Sequence, residues 1–324
     1  MRILLFCIGI FYTTFVFSNI AEREDVKTFI NEMHEKHQYD KAKLNAAFTQ
    51  TVIKESTLKA ISRPAEGLPW SKYRKIFITD KRIKNGVKFW RENIDSLARV
   101  EQEFGVPPEI IVAIIGVETA YGENTGGFRI IDALSTLAFE YPRRAKFFRS
   151  ELEQFFLLVR EQDFDPMTLT GSYAGAMGLP QFMPSSYRHY AINFDTDRRI
   201  DIWNNTEDTI GSVGNYFHVH GWIKNEPIAT PVQPEDNGYK DLLSEGLKPI
   251  HNRDALALRN IFIDEDDIND SLVKVLELEL ENSNDVWLAH QNFYVITRYN
   301  HSQLYAMAVY QLSESIKKQY FSLN

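Results

Sequence analysis

An α+β fold, predominantly α, is what this chain predicts, and three observations carry the prediction. Apolar residues recur at helical spacing over most of the stretch from Ala21 to His220. After Trp222 the period changes, and Leu276-Glu277-Leu278-Glu279-Leu280 alternates strictly, as a half-buried strand does. Of the 324 residues 44% are hydrophobic and 25% charged, enough apolar surface for a sizeable core. That core must hold without a disulfide framework, because Cys7 is the only cysteine.

Met1 to Ser18 reads as a secretory signal, with Arg2 as its charged start and Ile3 to Phe17 as its apolar stretch. The alternative is an uncleaved N-terminal anchor, since the stretch is long for a signal and short for a span. Leu5-Phe6-Cys7 is a poor lipid-attachment site, with a bulky Phe where a small residue is wanted. From Ala21 to Lys59, Val26, Phe29, Ile30 and Met33 form one stripe, and Asp40 can cap a second helix carrying Leu44 and Phe48. A Pro/Gly link runs from Pro64 to Pro69. Asp80 starts a helix with Ile83, Val87, Trp90, Ile94 and Leu97 on one face. Helical patterns continue over Pro107 to Glu118, Ile130 to Phe139, Arg143 to Arg160 and Thr206 to His220. Gly171 to Pro184 is a Gly/Ala/Pro-rich loop. Phe293 to Ile296 is a second strand candidate, Asp236 to Asp270 is polar and turn-rich, and Tyr305 to Ile316 returns to helix. The expected regions are 1–18 signal, 19–104 N-terminal helical, 105–222 core, 223–297 small β-containing subdomain and 298–324 C-terminal segment.

Glu118 is the residue with the clearest chemical content. It ends an apolar helix, Val106-Pro107-Pro108-Glu109-Ile110-Ile111-Val112-Ala113-Ile114-Ile115-Gly116-Val117, with Gly122 as the expected stop. A carboxylate in that setting is desolvated, which raises its pKa unless it is paired. A glutamic acid protonated near neutral pH is what a glycosidase needs as general acid. The plainer reading is a structural carboxylate capping a neighbouring element. Glu123, beside Asn124 and Gly126, is a solvated loop charge. The net charge of −8 without a basic stripe argues against nucleic acid. His34 and His37 lack the spacing of a zinc helix, and His218 and His220 point to different helix faces.

Four clusters stand in order: Gly116-Val117-Glu118-Thr119-Ala120-Tyr121-Gly122, Tyr141-Pro142-Arg143-Arg144-Ala145, Gly171 to Ser186 (containing Gly178-Leu179-Pro180-Gln181-Phe182-Met183-Pro184), and Arg298-Tyr299-Asn300-His301-Ser302. Together with Trp70, Tyr73, Arg74, Phe77, Gly86, Phe89 and Trp90, this set resembles the membrane-bound lytic murein transglycosylase B family, from about Phe29 to Leu312. The resemblance implies a lysozyme-like helical core with an added helical domain and the small β-containing subdomain. It implies one catalytic glutamate, Glu118. It also implies a sugar groove lined by Tyr73, Gln181, Phe182, Met183, Tyr216, Tyr299, Asn300 and Tyr305, with Ser172 hydrogen-bonding the glutamate. Arg143 and Arg144 are implied to meet peptide or lactyl carboxylates of the substrate; the alternative is a solvated charge run with Lys146 and Arg149. Several of the tyrosines also read as buried rings with satisfied hydroxyls.

The implied activity is non-hydrolytic cleavage of the MurNAc–GlcNAc bond of peptidoglycan in the periplasm, leaving 1,6-anhydromuramoyl ends. Rivals are a hydrolytic muramidase on the same scaffold and a non-catalytic murein-binding protein. The implied partners are glycan strands and other cell-wall enzymes. No cofactor is expected for catalysis. Asn193-Phe194-Asp195-Thr196-Asp197-Arg198-Arg199-Ile200-Asp201 resembles the family's calcium loop, a variant of the EF-hand, with Asn193, Asp195, Asp197 and the carbonyl of Arg199 as ligands of a structural Ca²⁺ and, since Asn204 falls at the ordinary closing position, Asp208 or Glu207 closing a longer loop. It departs from the pattern at Asn193, where Asp is usual, and at Arg198, where Gly is usual.

Overall fold

The structure, a computed structural model, describes residues 19–62, 67–197, 199–243, 246–262 and 271–322. The signal segment Met1 to Ser18, Pro64 of the link and Arg198 lie outside the described residues. The chain divides into two compact units, Met1–Val52 and Ile53–Asn324.

In the first unit, helix α1 (Glu24–His37) buries Val26, Phe29, Ile30 and Met33, the stripe read from the sequence. It ends at Gln38 in the left-handed region. Asp40 then caps α2 (Lys41–Thr49), its carboxylate accepting from the N–H of Ala42 at 2.8 Å. Phe29 and Phe48 meet edge to face at 5.8 Å between ring centres.

The second unit begins with α3 (Glu55–Ile61), α4 (Trp70–Phe77), α5 (Asp80–Glu92) and α6 (Ile94–Phe104). Thr79 caps α5, accepting from the N–H of Arg82 at 3.2 Å. The single apolar face expected from Ile83 to Leu97 is broken at Asn93, which leaves the helical region and donates its side-chain amide to the carbonyl of Phe89 at 2.8 Å. Ile94 therefore starts a new helix and is 48% exposed.

Helix α7 (Pro108–Thr119) has Pro107 at its cap and Pro108 as its first residue, where a missing N–H costs nothing because the first turn has no use for it. All its residues from Pro108 to Val117 are buried. A helix apolar all round must be covered on every side; here α5, α6 and two later helices pack against it. Each buried Ile contributes roughly 1.5–3 kcal/mol relative to exposure, which fixes the path of this helix. Next come β1 (Phe128–Arg129), α8 (Ile130–Glu140), α9 (Ala145–Gln162), β2 (Thr170–Gly171), α10 (Pro184–Tyr190) and α11 (Thr206–Val219).

The β-containing part holds β3 (Ala229–Val232), α12 (Arg253–Ala257), β4 (Lys274–Glu279) and β5 (Asn284–Ala289), the strands forming an antiparallel sheet in the order β3-β5-β4. Leu276 pairs with Trp287 and Leu278 with Asp285. Tyr239, Leu256, Val275 and Leu288 belong to its core. The expected strand at Phe293 to Ile296 is instead the middle of α13 (Gln291–Tyr299). Phe293, Val295, Ile296 and Thr297 are buried while Tyr294 and Arg298, four apart, stay partly exposed. A four-residue apolar run cannot distinguish the two periods. The chain closes with α14 (Gln303–Ser322), which packs on α7, α5, α4 and α13.

Candidate active site

Glu118 stands in the last turn of α7. The helix does not run on to Gly122; it stops at Ala120, whose φ is 51°, and Tyr121 (φ 63°) and Gly122 (φ 92°) follow in the same left-handed region. Left-handed backbone costs a non-glycine residue roughly 1–2 kcal/mol, so the turn stores strain beside the acid. The N–H groups of Ala120 and Tyr121 fold back to the carbonyls of Gly116 (3.1 Å) and Ile115 (3.3 Å). Thr119 Oγ1 accepts from the N–H of Gly122 (3.1 Å) and lies 3.2 Å from the carbonyl of Leu179, tying the turn to the Gly178–Phe182 loop.

Among the described residues the Glu118 carboxyl has one hydrogen-bond partner, Tyr305, whose hydroxyl donates to Oε1 at 2.5 Å, and no ion pair. Burial pushes the Glu118 carboxyl up to about 7, against the opposing pull of the Tyr305 bond. Tyr305 comes from α14 and stacks on Tyr299 with ring centres 6.5 Å apart. Tyr299 donates to the carbonyl of Pro180 at 2.6 Å, and Tyr216 of α11 donates to the carbonyl of Arg298 at 2.5 Å. Phe182 packs on Tyr216 and Tyr299 at 5.7 and 5.8 Å. Burial, then the nearby Glu118 charge, raises both Tyr299 and Tyr305; Tyr73 also acts on Tyr305. These phenols are therefore neutral donors. The structure thus brings Glu118, Tyr73, Phe182, Tyr216, Tyr299 and Tyr305 together.

Gln181 has φ 51° and its side-chain amide donates to the carbonyls of Gly178 (2.8 Å) and Thr125 (3.1 Å), closing the loop beside the Glu118 turn. Met183 precedes α10 in extended conformation. Asn300 follows α13 and its carbonyl accepts from Ser302 at 2.7 Å. The expected bond from Ser172 to Glu118 is not formed. Ser172 Oγ accepts from the N–H groups of Ala174 (3.2 Å) and Ala176 (3.1 Å), because its tight loop leaves both donors without another partner. Arg143 and Arg144 lie exposed in a 3₁₀ turn before α9, and Arg144 stacks on Phe147 at 4.3 Å; no contact links either to Glu118.

Other acids have different surroundings. Glu123 is exposed, and its bond from Lys81 (2.8 Å) holds its carboxyl below the usual range. Glu151, which sequence reading passed over, is buried and raised by that burial, but its two oxygens take the N–H (2.9 Å) and hydroxyl (2.7 Å) of Ser185 at the start of α10. Two cavities, of about 510 and 450 Å³, are not lined by Glu118. The first opens at the far end of α7, and the second is walled by Asp197, Arg199, Asp201, Asn204, Asn205 and Glu207.

The 193–208 loop is rich in oxygen. Asp195 accepts from the N–H of Asp197 (3.0 Å), and Asp197 from that of Arg199 (2.6 Å). Buried Asp208 holds the loop's two ends, accepting from the N–H groups of Phe194 and Asp201, both at 2.7 Å. Asn193 donates to the carbonyl of Asp197 at 2.7 Å, while its own Oδ1 is buried without a partner. An orphaned buried amide oxygen is a group that a hard cation satisfies; among the described residues no group of three or more His, Cys, Asp or Glu side chains is placed to hold a metal ion.

The Transglycosylase SLT domain family matches residues 21–314. The membrane-bound lytic murein transglycosylase B of Escherichia coli K12 is 42% identical over 308 residues, covering 92% of this chain and 84% of that protein. The crystal structure of soluble lytic transglycosylase SltB1 from Pseudomonas aeruginosa is 48% identical, with a TM-score of 0.87 over 91% of this chain and 99% of that one. The Escherichia coli lytic transglycosylase Slt35, solved in complex with calcium, is 42% identical, with a TM-score of 0.86 over 94% and 96%. A match over nearly the whole chain, with Glu118 and its tyrosines inside it, places the protein in the Transglycosylase SLT family of lytic transglycosylases.

Proposed function

We propose that this chain cleaves the bond between N-acetylmuramic acid and N-acetylglucosamine in peptidoglycan without consuming water, with Glu118 as both acid and base. The observation that carries the reading is the Glu118 carboxyl itself: desolvated, raised to about 7, bonded to a neutral phenol, and without a cation. Such a group can hold a proton and then release it near neutral pH. Glu118 first protonates the bridging oxygen as the bond to C1 breaks. The resulting carboxylate, steadied by the Tyr305 hydroxyl, takes the proton of the C6 hydroxyl while that oxygen closes on C1. The product is a 1,6-anhydro ring, and Glu118 ends protonated as it began. Ordinary glycosidases use a second carboxyl group 5 Å or more away; Glu123 is solvated and Glu151 is committed to Ser185.

Tyr73, Phe182, Tyr216, Tyr299 and Tyr305 wall the groove in this reading. Gln181, Met183 and Asn300 hold the muramic ring so that O6 reaches C1, Ser172 shapes the adjoining loop, and Arg143 and Arg144 meet substrate carboxylates. The substrate is periplasmic glycan, reached after export. No described helix is long and apolar enough to cross a membrane. The region boundaries expected from the sequence, with the core at 105–222, belong to the same proposal. Digestion of murein in ¹⁸O-water tests it: unlabelled ends resistant to borohydride are expected, and labelled, reducible ends would mean a hydrolase.

The same reading includes a structural calcium ion held by Asn193, Asp195, Asp197, the carbonyl of Arg199 and Asp208. The partnerless Oδ1 of Asn193 supports it, as does the similarity to a structure solved with calcium. A ligand bound by the folded state alone raises Tm with its concentration. Calcium is expected to raise Tm by a few degrees with little change in rate. Chelation that abolishes activity without moving Tm would contradict a structural role.

A further inference from the structure

Tyr121 follows the acid by three residues and takes no part in the chemistry above. Its hydroxyl is buried and has no hydrogen-bond partner. Its backbone is left-handed, directly after left-handed Ala120. A phenol in a costly backbone state, its polar tip without a hydrogen bond, contributes its shape rather than a polar contact.

The shape is that of a slot. A Cβ added to Gly116 of α7 would lie 2.4 Å from the Tyr121 hydroxyl, 2.7 Å from Cζ and 3.0 Å from Cε1. A Cβ added to Gly86 of α5 would lie 2.5 Å from the same hydroxyl and 2.7 Å from Cδ1 of Ile316 in α14. The tip of the phenol is thus lodged where two helices each lack a side chain, with α14 closing the slot and Phe89 packed on the ring at 5.5 Å. From that anchor the backbone N–H of Tyr121 reaches the carbonyl of Ile115, and that of Ala120 reaches Gly116. Glu118 lies inside the turn so closed. The helix that walls the slot with Ile316 is also the one that presents Tyr305 to Glu118.

We propose that Tyr121 is a positioning residue for the reaction: wedged between Gly86 and Gly116, it locks the left-handed turn that sets the Glu118 carboxyl against Tyr305 and the scissile bond. The inference rests on the function proposed above. A displacement of about 1 Å at an acid can cost on the order of a hundredfold in rate, so the effect falls on kcat rather than on groove binding.

The test is a suppressor experiment on the full chain with isolated murein, measuring kcat, KM and Tm. Gly86→Ala is expected to lower kcat at least 30-fold with KM within threefold. Adding Tyr121→Phe to Gly86→Ala removes the 2.5 Å conflict and leaves the contacts with Cδ1 (2.7 Å) and Cγ1 (3.0 Å) of the flexible Ile316 side chain, so kcat is expected to recover at least tenfold. Adding Tyr121→Phe to Gly116→Ala is expected to recover less than threefold, because the ring carbons themselves stand in the way. Tyr121→Ala, which keeps both glycines, is expected to lose at least 30-fold in kcat and covers the case in which Gly86→Ala fails to fold. Unchanged kcat in Tyr121→Ala, a rise in KM at constant kcat, or no recovery in the Gly86 pair would each overturn the inference. Labelled, reducible ends from the wild-type protein would instead overturn the transglycosylase reading, and the kinetic comparison among variants would still decide the role of Tyr121.

Discussion

Helix α7 carries a glutamate near each end, and the two are kept in opposite circumstances. Glu109 in the first turn is 6% exposed and meets Lys317 at 2.7 Å. It also sits at the positive end of the helix dipole, where a carboxylate is favoured. Glu118 in the last turn sits at the negative end, has no cation, and bonds only to a phenol. Glu109 is buried and Glu118 half-buried, yet only Glu118 combines desolvation with an unfavourable dipole and no counter-charge. The contrast teaches that burial alone does not make a general acid. Burial without a cation, at the carbonyl end of a helix, does.

The strongest way to break this contrast is Glu118→Gln. The amide keeps size and hydrogen bonding and removes the proton, so murein cleavage is expected to fall about 10²- to 10⁴-fold, the usual worth of a general acid–base. Stability gives an independent reading. The carboxyl is raised from 4.5 to about 7 in the folded protein, so between these values the folded state binds more protons than the unfolded. Its contribution is fully present below about pH 4.5 and is lost as pH rises through about 7. The loss is at most roughly 3 kcal/mol, and less to the extent that Glu118 keeps partial exposure. Urea melts at pH 4.5 and 7.5 should show this slope in the wild type and not in Glu118→Gln. Residual turnover near wild type would move the acid elsewhere.

Tyr305→Phe sharpens the contrast with a smaller effect. The bond from Tyr305 pulls the Glu118 carboxyl down, against burial. Removing it should raise that carboxyl further and destabilise the carboxylate that forms as the bridging oxygen takes the proton. A loss of about 10- to 100-fold in kcat is expected, the worth of one charge-assisted bond of roughly 1.5–3 kcal/mol. The alkaline limb of the pH–rate profile should move up. A limb moving down would show that Tyr305 acts on Glu118 by some other route.

The sequence announced Glu118, because its signal is local: an apolar run, two prolines, and one acid at the end. The cap at Asp40 and the stripe of α1 were legible for the same reason. Tyr305 was visible only as one groove residue among several, and its bond to Glu118 was not, because the partners are 187 residues apart. Ser172 was assigned that bond, but its hydroxyl is taken by two neighbouring N–H groups, a local demand that wins over a distant partner. The stop at Ala120 was missed since left-handed backbone favours glycine, and Gly122 was the natural candidate. Tertiary packing around Tyr121 overrode that preference. Phe293 to Ile296 was misread because four apolar residues carry no period, and the true strand β5 begins with polar Asn284 and Asp285. The pairing of Glu109 with Lys317 spans 208 residues and no motif marks it.

That pairing supplies the mildest test for activity. Lys317→Met leaves Glu109 buried without its cation, at the end of α7 remote from the chemistry. Removing one partner of a buried pair costs up to 3–5 kcal/mol, but Lys317 is 47% exposed and solvent screens it, so about 1–2 kcal/mol is expected. Adding Glu109→Gln removes the orphaned charge, and the double variant should regain most of the loss. Murein cleavage below the melting range should stay within twofold of wild type in both variants. A deficit that the double variant does not regain would mean that Lys317 acts through the packing of its methylene stem. A large loss of activity without loss of stability would mean that the two ends of α7 are coupled, and the division of labour between Glu109 and Glu118 would fail.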